Sequence, residues 1–150
     1  MKRSTCAVLA LAVVMAVIGA ATATAATRGT TIKLTKTNRG KILTTARGFT
    51  LYMFSRDKRN KDVCVKIQDC TTVWPLVTSK SKPVAGPGVK SRLLGTIKLA
   101  NGSRQVTYNG WPLYTYIGDS KPGQANGQAK NLNGGLWYVL SPAGKVIKKH

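Results

Sequence analysis

From about residue 30 onward, hydrophobic and polar residues alternate in short runs, which is the period of a half-buried strand and not of a helix. The segment TIKLTKT, from Thr31 to Thr37, alternates Ile32 and Leu34 with polar neighbours. The segment GKILTTARGFTLYMF then contains two further β-prone runs, separated by residues 46–48. No segment after the N-terminal apolar run has a sustained helical period. The pattern therefore predicts an antiparallel all-β domain.

Turn signals lie between several of these runs. Asn101-Gly102 and Asn109-Gly110 each separate two alternating runs, and Asn-Gly is the strongest short-range signal for a β-hairpin. A last hairpin is predicted in GLWYVLSPAGKVI, with its turn at residues 141–144. Two long polar connectors, residues 78–92 and 118–135, are rich in Gly, Pro, Lys or Asn and are predicted to be loops.

One stretch of the chain occurs twice. GFTLYMFSRD begins at Gly48 and GWPLYTYIGD begins at Gly110, an offset of 62 residues, and a tryptophan follows each copy. Each copy is too small to close a core alone, so we predict two pseudo-symmetric repeats, about 40–77 and 94–148, that pack together in one domain. The equivalent pairs are Leu51 and Leu113, Tyr52 and Tyr114, Phe54 and Tyr116, Asp57 and Asp119, and Trp74 and Trp137.

The N-terminus has the three parts of a secretory signal peptide. Lys2 and Arg3 precede an apolar run of 14 residues, Ala7 to Ala20, and Ala23-Thr24-Ala25 offers a cleavage site. The alternative is an uncleaved membrane anchor, but a spanning helix needs about 20 apolar residues. Residues 1–25 are therefore predicted to be a signal peptide. Residues 26–150 are predicted to be a single, secreted, monomeric β domain without a membrane span.

The charge is strongly unbalanced. The formal net charge is +20, there is no glutamate, and Asp57, Asp62, Asp69 and Asp119 are the only acids. Such a surface is expected to attract polyanions, among them nucleic acid, teichoic-type polymers and anionic lipid. No specific nucleic-acid-binding motif is present. The alternative is that the charge serves only solubility.

The cysteines predict a cross-link. Cys64 and Cys70 both follow the signal peptide, and an even cysteine count in an exported protein favours a disulfide. A metal pair would need further cysteine or histidine nearby, and the only histidine is His150. We therefore expect neither a metal nor another cofactor.

The residue inventory argues against an enzyme. General acid–base chemistry near neutral pH needs histidine or a pair of carboxyls with separated pKa values. Asp57 and Asp119 could form such a pair only if the repeat symmetry brings them together. A serine or cysteine nucleophile would lack a base partner. We predict that the protein is not an enzyme.

The repeated motif has two interpretations. In the structural one, Asp57 and Asp119 each accept hydrogen bonds from backbone N–H groups two or three residues on, and the aromatic residues bury area against the tryptophans. In the functional one, the tyrosines and aspartates form one or two ligand sites. Turn-setting aspartates are far commoner than isolated carboxylate sites, which favours the structural interpretation.

LYMFSRD and PLYTYIGD, with CVKIQDCTTVWPL after the first and GGLWYVL after the second, resemble the bacterial secreted-repeat family of predicted lipoproteins with a Yx(FWY)xxD motif. The resemblance covers roughly Gly40 to Lys145, and it implies an exported repeat without an assigned activity. Three departures are visible, since the signal lacks a lipidation cysteine, the cysteines are widely spaced and the chain is unusually basic. The first departure predicts free secretion. The motif positions are Tyr52, Phe54 and Asp57, and then Tyr114, Tyr116 and Asp119.

The sequence is compatible with two functions. The first is a binding module that holds an anionic cell-surface or extracellular polymer through lysine and arginine, with the aromatic residues partly exposed for stacking. The second is a structural or interaction protein of the cell envelope, in which the aromatic residues all belong to the core. Whether Tyr52 and Tyr114 are buried or exposed distinguishes between these two roles for the aromatic residues.

Overall fold

The computed structural model describes residues 29–148, so the predicted signal peptide and His150 lie outside the described residues. Within that range the chain is built of short strands with three single helical turns. The strands are β1 (Thr31–Thr37), β2 (Gly40–Thr45), β3 (Tyr52–Phe54), β4 (Val84–Ala85), β5 (Leu94–Lys98), β6 (Arg104–Tyr108), β7 (Trp111–Pro112), β8 (Asn131–Leu132) and β9 (Gly135–Val139). The turns are an α-helical turn α1 (Cys70–Val73) and two 3-10 turns (Cys64–Lys66 and Ser91–Leu93).

The strands form three small sheets, each of three strands, ordered β2-β1-β4, β3-β9-β8 and β5-β6-β7. Isolated bridges, such as those between Thr44 and Thr50 and between Thr78 and Gln105, join strands to neighbouring segments. The prediction of an all-β fold is therefore confirmed. The sheets are antiparallel as predicted, apart from one short parallel pairing of β1 with β4 over two residue pairs. The long connector of residues 78–92 allows this pairing by carrying the chain back to the edge of β1.

The two Asn-Gly dipeptides that were predicted as turns, at residues 101–102 and 109–110, both form hairpin turns. Asn101-Gly102 lies between β5 and β6, where Lys98 is paired with Arg104. Asn109 and Gly110 have φ angles of 50° and 79° and join β6 to β7. Two positive φ angles in succession match the right-handed twist of the flanking strands, and asparagine followed by glycine adopts them at low cost.

The predicted cross-link is present, since Cys64 and Cys70 form a disulfide. Both cysteines are fully buried. The disulfide ties the 3-10 turn to the first residue of α1, and thereby shapes the chain between Asp57 and Trp74.

Two hydrophobic clusters lie on opposite faces of the motif strands. Alternation along the strand sends Leu51 and Met53 to an aliphatic cluster and Tyr52 and Phe54 to an aromatic cluster. In the second repeat, Leu113 and Tyr114 divide in the same way. β3 is therefore covered on both faces, as its apolar sequence predicts.

Candidate functional site

The two copies of the motif lie side by side at the centre of the molecule. Tyr52 and Tyr114 form an antiparallel bridge in which each backbone N–H donates to the carbonyl oxygen of the other, at 2.9 and 3.0 Å. Because these residues occupy equivalent positions in the repeats, the contact is reciprocal. The pseudo-two-fold axis of the molecule therefore passes between them.

Each motif strand pairs with the tryptophan segment of the other repeat. Phe54 of β3 is paired with Trp137 of β9. In the equivalent contact on the other side of the pseudo-two-fold axis, Tyr114 forms a bridge with Leu76, and Thr115 N–H donates to the Pro75 carbonyl at 2.9 Å. The motif segments are thus exchanged between the repeats.

The motif side chains are exchanged in the same way. The hydroxyl of Tyr52 donates to Oδ2 of Asp119 at 2.7 Å, and the hydroxyl of Tyr114 donates to Oδ2 of Asp57 at 2.7 Å. All four residues are at most 5% exposed. The tyrosine and the aspartate of the motif are therefore partners across the repeat interface, and not within one repeat.

The second carboxylate oxygen of each aspartate anchors the loop that follows it. Oδ1 of Asp57 accepts the N–H of Val63 at 2.7 Å, and Oδ1 of Asp119 accepts the N–H of Asn126 at 2.8 Å. These donors lie six and seven residues on, so the prediction of donors two or three residues on was wrong. The two loops are longer than an Asx turn, and each carboxylate bonds the far side of its loop.

Four aromatic rings form a continuous stack through the pseudo-two-fold axis. The rings of Trp74 and Trp137 lie parallel with centroids 3.8 Å apart. Tyr116 stacks on the outer face of Trp74 at 4.3 Å, and Phe54 stacks on the outer face of Trp137 at 4.2 Å. Each tryptophan thus receives the outer ring of the opposite repeat, while the motif tyrosine of its own repeat meets it edge-on.

Gly127 closes the aromatic cluster from the side of the second loop. A Cβ atom at this position would lie 2.8 Å from the ring of Trp74 and 2.9 Å from the ring of Tyr52. The absence of a side chain lets the backbone approach, and the N–H of Gly127 donates to the hydroxyl of Tyr52 at 3.2 Å. The Tyr52 hydroxyl therefore both donates and accepts in this cluster.

Burial controls the protonation of the motif. Desolvation raises the pKa of the Asp57 carboxyl from 3.8 to about 7, although hydrogen bonds from Val63 and Tyr114 act in the opposite direction. Burial also raises the pKa of Asp119, and it raises the pKa values of Tyr52 and Tyr114 well above their usual range. The tyrosines consequently remain protonated and keep their role as donors.

These shifts predict an unusual pH dependence of stability. Between pH 3.8 and about 7 the folded protein holds a proton on Asp57 that the unfolded chain has released. The free energy of unfolding should therefore fall as the pH rises through this window, by at most about 1.4 kcal/mol per pH unit for one group. Asp119, whose pKa is also raised by burial, should add to this decline. Urea unfolding between pH 4 and 8 measures this slope.

Asp57→Asn is the matched variant for that measurement. It keeps an acceptor for Val63 N–H but cannot ionise, so it should flatten the decline. A free energy of unfolding that rises from pH 4 to pH 7 in the unmodified protein would contradict the prediction.

The predicted motif residues are therefore brought together, but as interior groups. Tyr52, Phe54, Tyr114, Trp74 and Trp137 are all 0% exposed. Tyr116 is half-buried and, with Asp119, borders a shallow cleft of about 210 Å³. The expectation that the motif aromatics are partly exposed for stacking on a ligand is thus wrong for all of them except Tyr116. Burial is consistent with the structural interpretation of the motif.

Asp57 and Asp119, the two carboxyls considered as a catalytic pair, are not among the groups that shift each other's pKa. The charge that acts on Asp57 and contributes to its raised pKa is that of Asp62.

Within residues 29–148, no group of three or more His, Cys, Asp or Glu side chains is placed to hold a metal ion. No helix in the same range is long and apolar enough to cross a membrane.

A family model described as a secreted repeat of unknown function matches residues 33–78 and 95–141 of this sequence. The two matched segments contain both motif copies with Trp74 and Trp137, and together they cover more than half of the chain. The chain belongs to this family. The resemblance stated from the motif is thereby confirmed. Comparison with curated proteins and with solved structures finds no match.

For this secreted repeat, sequence reasoning missed the loop residues that bond the motif. Val63 donates through its backbone, so its side chain carries no signal. Asn126 also donates its side-chain amide to the Gly118 carbonyl, and Asn126-Gly127 could have been noticed as an Asn-Gly pair in the loop after the second motif. The exchanged pairing of tyrosine with aspartate had no sequence signal, because the equal spacing of the two residues in both copies fits pairing within a repeat equally well.

Proposed function

We propose that this secreted repeat is a non-enzymatic binding module that holds anionic polymers of the cell surface or extracellular space through its lysines and arginines. The observation that carries the proposal is the separation of charge between interior and surface. All but one of the lysines and arginines between residues 29 and 148 are exposed, and the exception, Arg39, is half-buried. Three of the four aspartates, Asp57, Asp62 and Asp119, are buried.

This arrangement leaves Asp69 as the one exposed acid among the described residues. The surface therefore presents many cations with almost no internal neutralisation. A polyanion that binds such a surface releases condensed counterions, and this release supplies affinity without a specific pocket. The buried motif supports the proposal indirectly, because it holds the loops that carry several of the cations.

The non-enzymatic part of the proposal is supported by the residue inventory and by the roles of the carboxyls. The sequence has one histidine and no glutamate. Asp57 and Asp119 are engaged by a tyrosine hydroxyl and a backbone N–H each, so their oxygens are already used in holding the fold.

A structural or interaction role in the cell envelope is the second candidate. The observation that favours it is the complete burial of five of the motif aromatics, which leaves little aromatic surface for ligand stacking. In this role the basic surface would serve solubility, and a polyanion would not be held.

Salt dependence separates the two candidates. A fluorescent polyanion such as inorganic polyphosphate should bind the mature protein at 50 mM salt, and its association constant should fall by at least about tenfold at 200 mM salt as counterion release weakens. Fluorescence anisotropy measures both values, with uncharged dextran as the control polymer. Failure of polyphosphate, polyglutamate and nucleic acid alike to bind at 50 mM salt would leave the structural role.

A further inference from the structure

Strand β5 has an open edge. It lies at the end of the sheet ordered β5-β6-β7, and among the described residues it pairs only with β6. Leu99 N–H donates to the Ser103 carbonyl, and Asn109 N–H donates to the Leu93 carbonyl. In this register the odd-numbered residues of β5 form the hydrogen-bonded pairs with β6. The backbone groups of the even-numbered residues therefore point away from β6.

Most of these outward-pointing groups have no partner. The N–H of Leu94 donates to the Ser91 carbonyl in the 3-10 turn before the strand. Within residues 29–148, no hydrogen bond occupies the Leu94 carbonyl or the N–H and carbonyl groups of Thr96 and Lys98. Such a row of donors and acceptors is complementary to the backbone of another extended peptide.

The same edge is partly filled in the first repeat. The offset of 62 residues makes β1 the equivalent of β5, with Ile32 at the position of Leu94. β4 pairs in parallel with β1, and Gly86 N–H donates to the Ile32 carbonyl at 2.8 Å. β4 belongs to the connector and lies outside both segments that the family model matches. A repeat hairpin of this molecule thus accepts an added strand, and no described segment takes the equivalent position beside β5.

One face of β5 is basic. Leu94 and Thr96 border a cleft of about 460 Å³ whose other walls include Lys80, Lys82 and Arg104. All three cations are exposed, and no acid borders the cleft. A strand added to β5 would place every second side chain on the side of these cations. Acidic side chains complement this face.

The other face of β5 carries Gly95 and Ile97. Ile97 is half-buried, and Arg59 and Arg92 add positive charge only near Gly95. The remaining side chains of an added strand would lie over this face, where a β-branched apolar residue packs against Ile97. The edge therefore fits a peptide in which acidic and apolar residues alternate.

A second copy of this chain is a poor occupant of the edge. Pairing of two β5 strands would bring Lys82, Lys98 and Arg104 of both copies onto one small sheet, and like charges on neighbouring strands destabilise their pairing. Natural proteins place lysine on edge strands to block such self-association. Asp69 is the one exposed acid among the described residues, so little charge of opposite sign is available to compensate.

We propose that the open edge of β5 binds an acidic peptide segment of another protein as an added strand. The inference goes beyond the proposed function, because strand addition needs a peptide backbone at one edge, whereas counterion release needs only charge. Leu94, Thr96 and Lys98 supply the backbone hydrogen bonds, and Lys82 and Arg104 select acidic side chains.

The first test blocks the backbone of the ligand without changing its charge. The probe is a fluorescent peptide of alternating glutamate and valine, measured by anisotropy against the mature protein. One form is N-methylated at every glutamate and another at every residue. Successive N–H groups of a strand point to opposite edges, so the first form keeps one intact edge and should bind like the unmethylated peptide. The second should bind roughly tenfold more weakly, or worse, because both edges have lost their donors.

The second test blocks the edge of the protein. Thr96→Pro removes an N–H that is not paired with β6, and Thr96→Ala is the matched control that keeps it. Thermal unfolding establishes that both variants fold. Thr96→Pro should bind the peptide roughly tenfold more weakly than Thr96→Ala, and it should bind polyphosphate as the unmodified protein does, since diffuse attraction does not use the edge.

The third test concerns the selection of acidic side chains. Lys82→Gln with Arg104→Gln removes two cations beside the edge, and Lys41→Gln with Arg47→Gln removes two exposed cations elsewhere. The first double variant should bind the peptide clearly more weakly than the second. Equal weakening would overturn the role of Lys82 and Arg104.

Two further results would overturn the site itself. Equal affinity of the fully methylated and unmethylated peptides would show that charge alone holds the ligand, and this test remains decisive if Thr96→Pro does not fold. Failure of the unmodified protein to bind the peptide would overturn strand addition alone, because polyphosphate binding tests the proposed function separately.

Discussion

Replacement of Trp137 by alanine is expected to lower the free energy of unfolding by about 3–5 kcal/mol. The indole is fully buried, stacks on Trp74 and Phe54, and is met edge-on by Tyr114. Its removal opens a cavity at the pseudo-two-fold axis, where both repeats lose a contact, and neighbouring rings cannot collapse into the space without leaving their own strands. Urea unfolding followed by circular dichroism measures the change.

Trp111→Ala is the control, because Trp111 is half-buried and lies outside the aromatic stack. It should cost clearly less than Trp137→Ala. Trp74→Ala should resemble Trp137→Ala, and the double variant should cost less than the sum of the two, since the rings contact each other. Strict additivity of the two single changes would contradict the description of one shared stack.

Asp57→Ala and Asp119→Ala are each expected to lower the free energy of unfolding by about 1–3 kcal/mol. Alanine removes both acceptors at once, so a tyrosine hydroxyl and a loop N–H lose their partners in a buried setting. Asparagine keeps the acceptor for the N–H and should cost under about 1 kcal/mol at either site. Asp57→Asn should even stabilise the protein above pH 7, because it removes a carboxylate whose pKa is raised by burial.

Asp69→Asn serves as the control for both sites, since Asp69 is exposed and asparagine tolerates its left-handed φ of 58°. A double-mutant cycle between Asp57→Ala and Tyr114→Phe should show coupling, while a cycle between Asp57→Ala and Tyr52→Phe should be close to additive. Coupling of Asp57 to the tyrosine of its own repeat would contradict the exchanged arrangement. Equal stability of the alanine and asparagine variants would remove the anchoring role of the carboxyls.

Much of the local structure could be predicted because it depends on short segments. Alternation along TIKLTKT placed β1, the Asn-Gly pairs placed two hairpin turns, and the cysteine pair placed the disulfide. The offset between the motif copies placed the repeats. Each of these signals acts within a few residues or by direct comparison of the copies, so no tertiary contact is needed to read it.

The exchange between repeats could not be predicted from the same signals. A motif strand can be completed by the tryptophan segment of its own repeat or by that of the other, and both pairings satisfy the same hydrophobic pattern. The distance from Asp57 to its backbone donor depends on a loop shape that the disulfide helps to set.

The bridge between Tyr52 and Tyr114 gives the domain the geometry of an isologous dimer contained in one polypeptide. Two separate single-repeat chains could make the same reciprocal contacts, but they would have to meet in solution, and their stability would rise and fall with concentration. Joining the two by a connector makes the encounter intramolecular, at an effective concentration in the millimolar range for a short flexible linker. The association of the two halves is therefore independent of protein concentration.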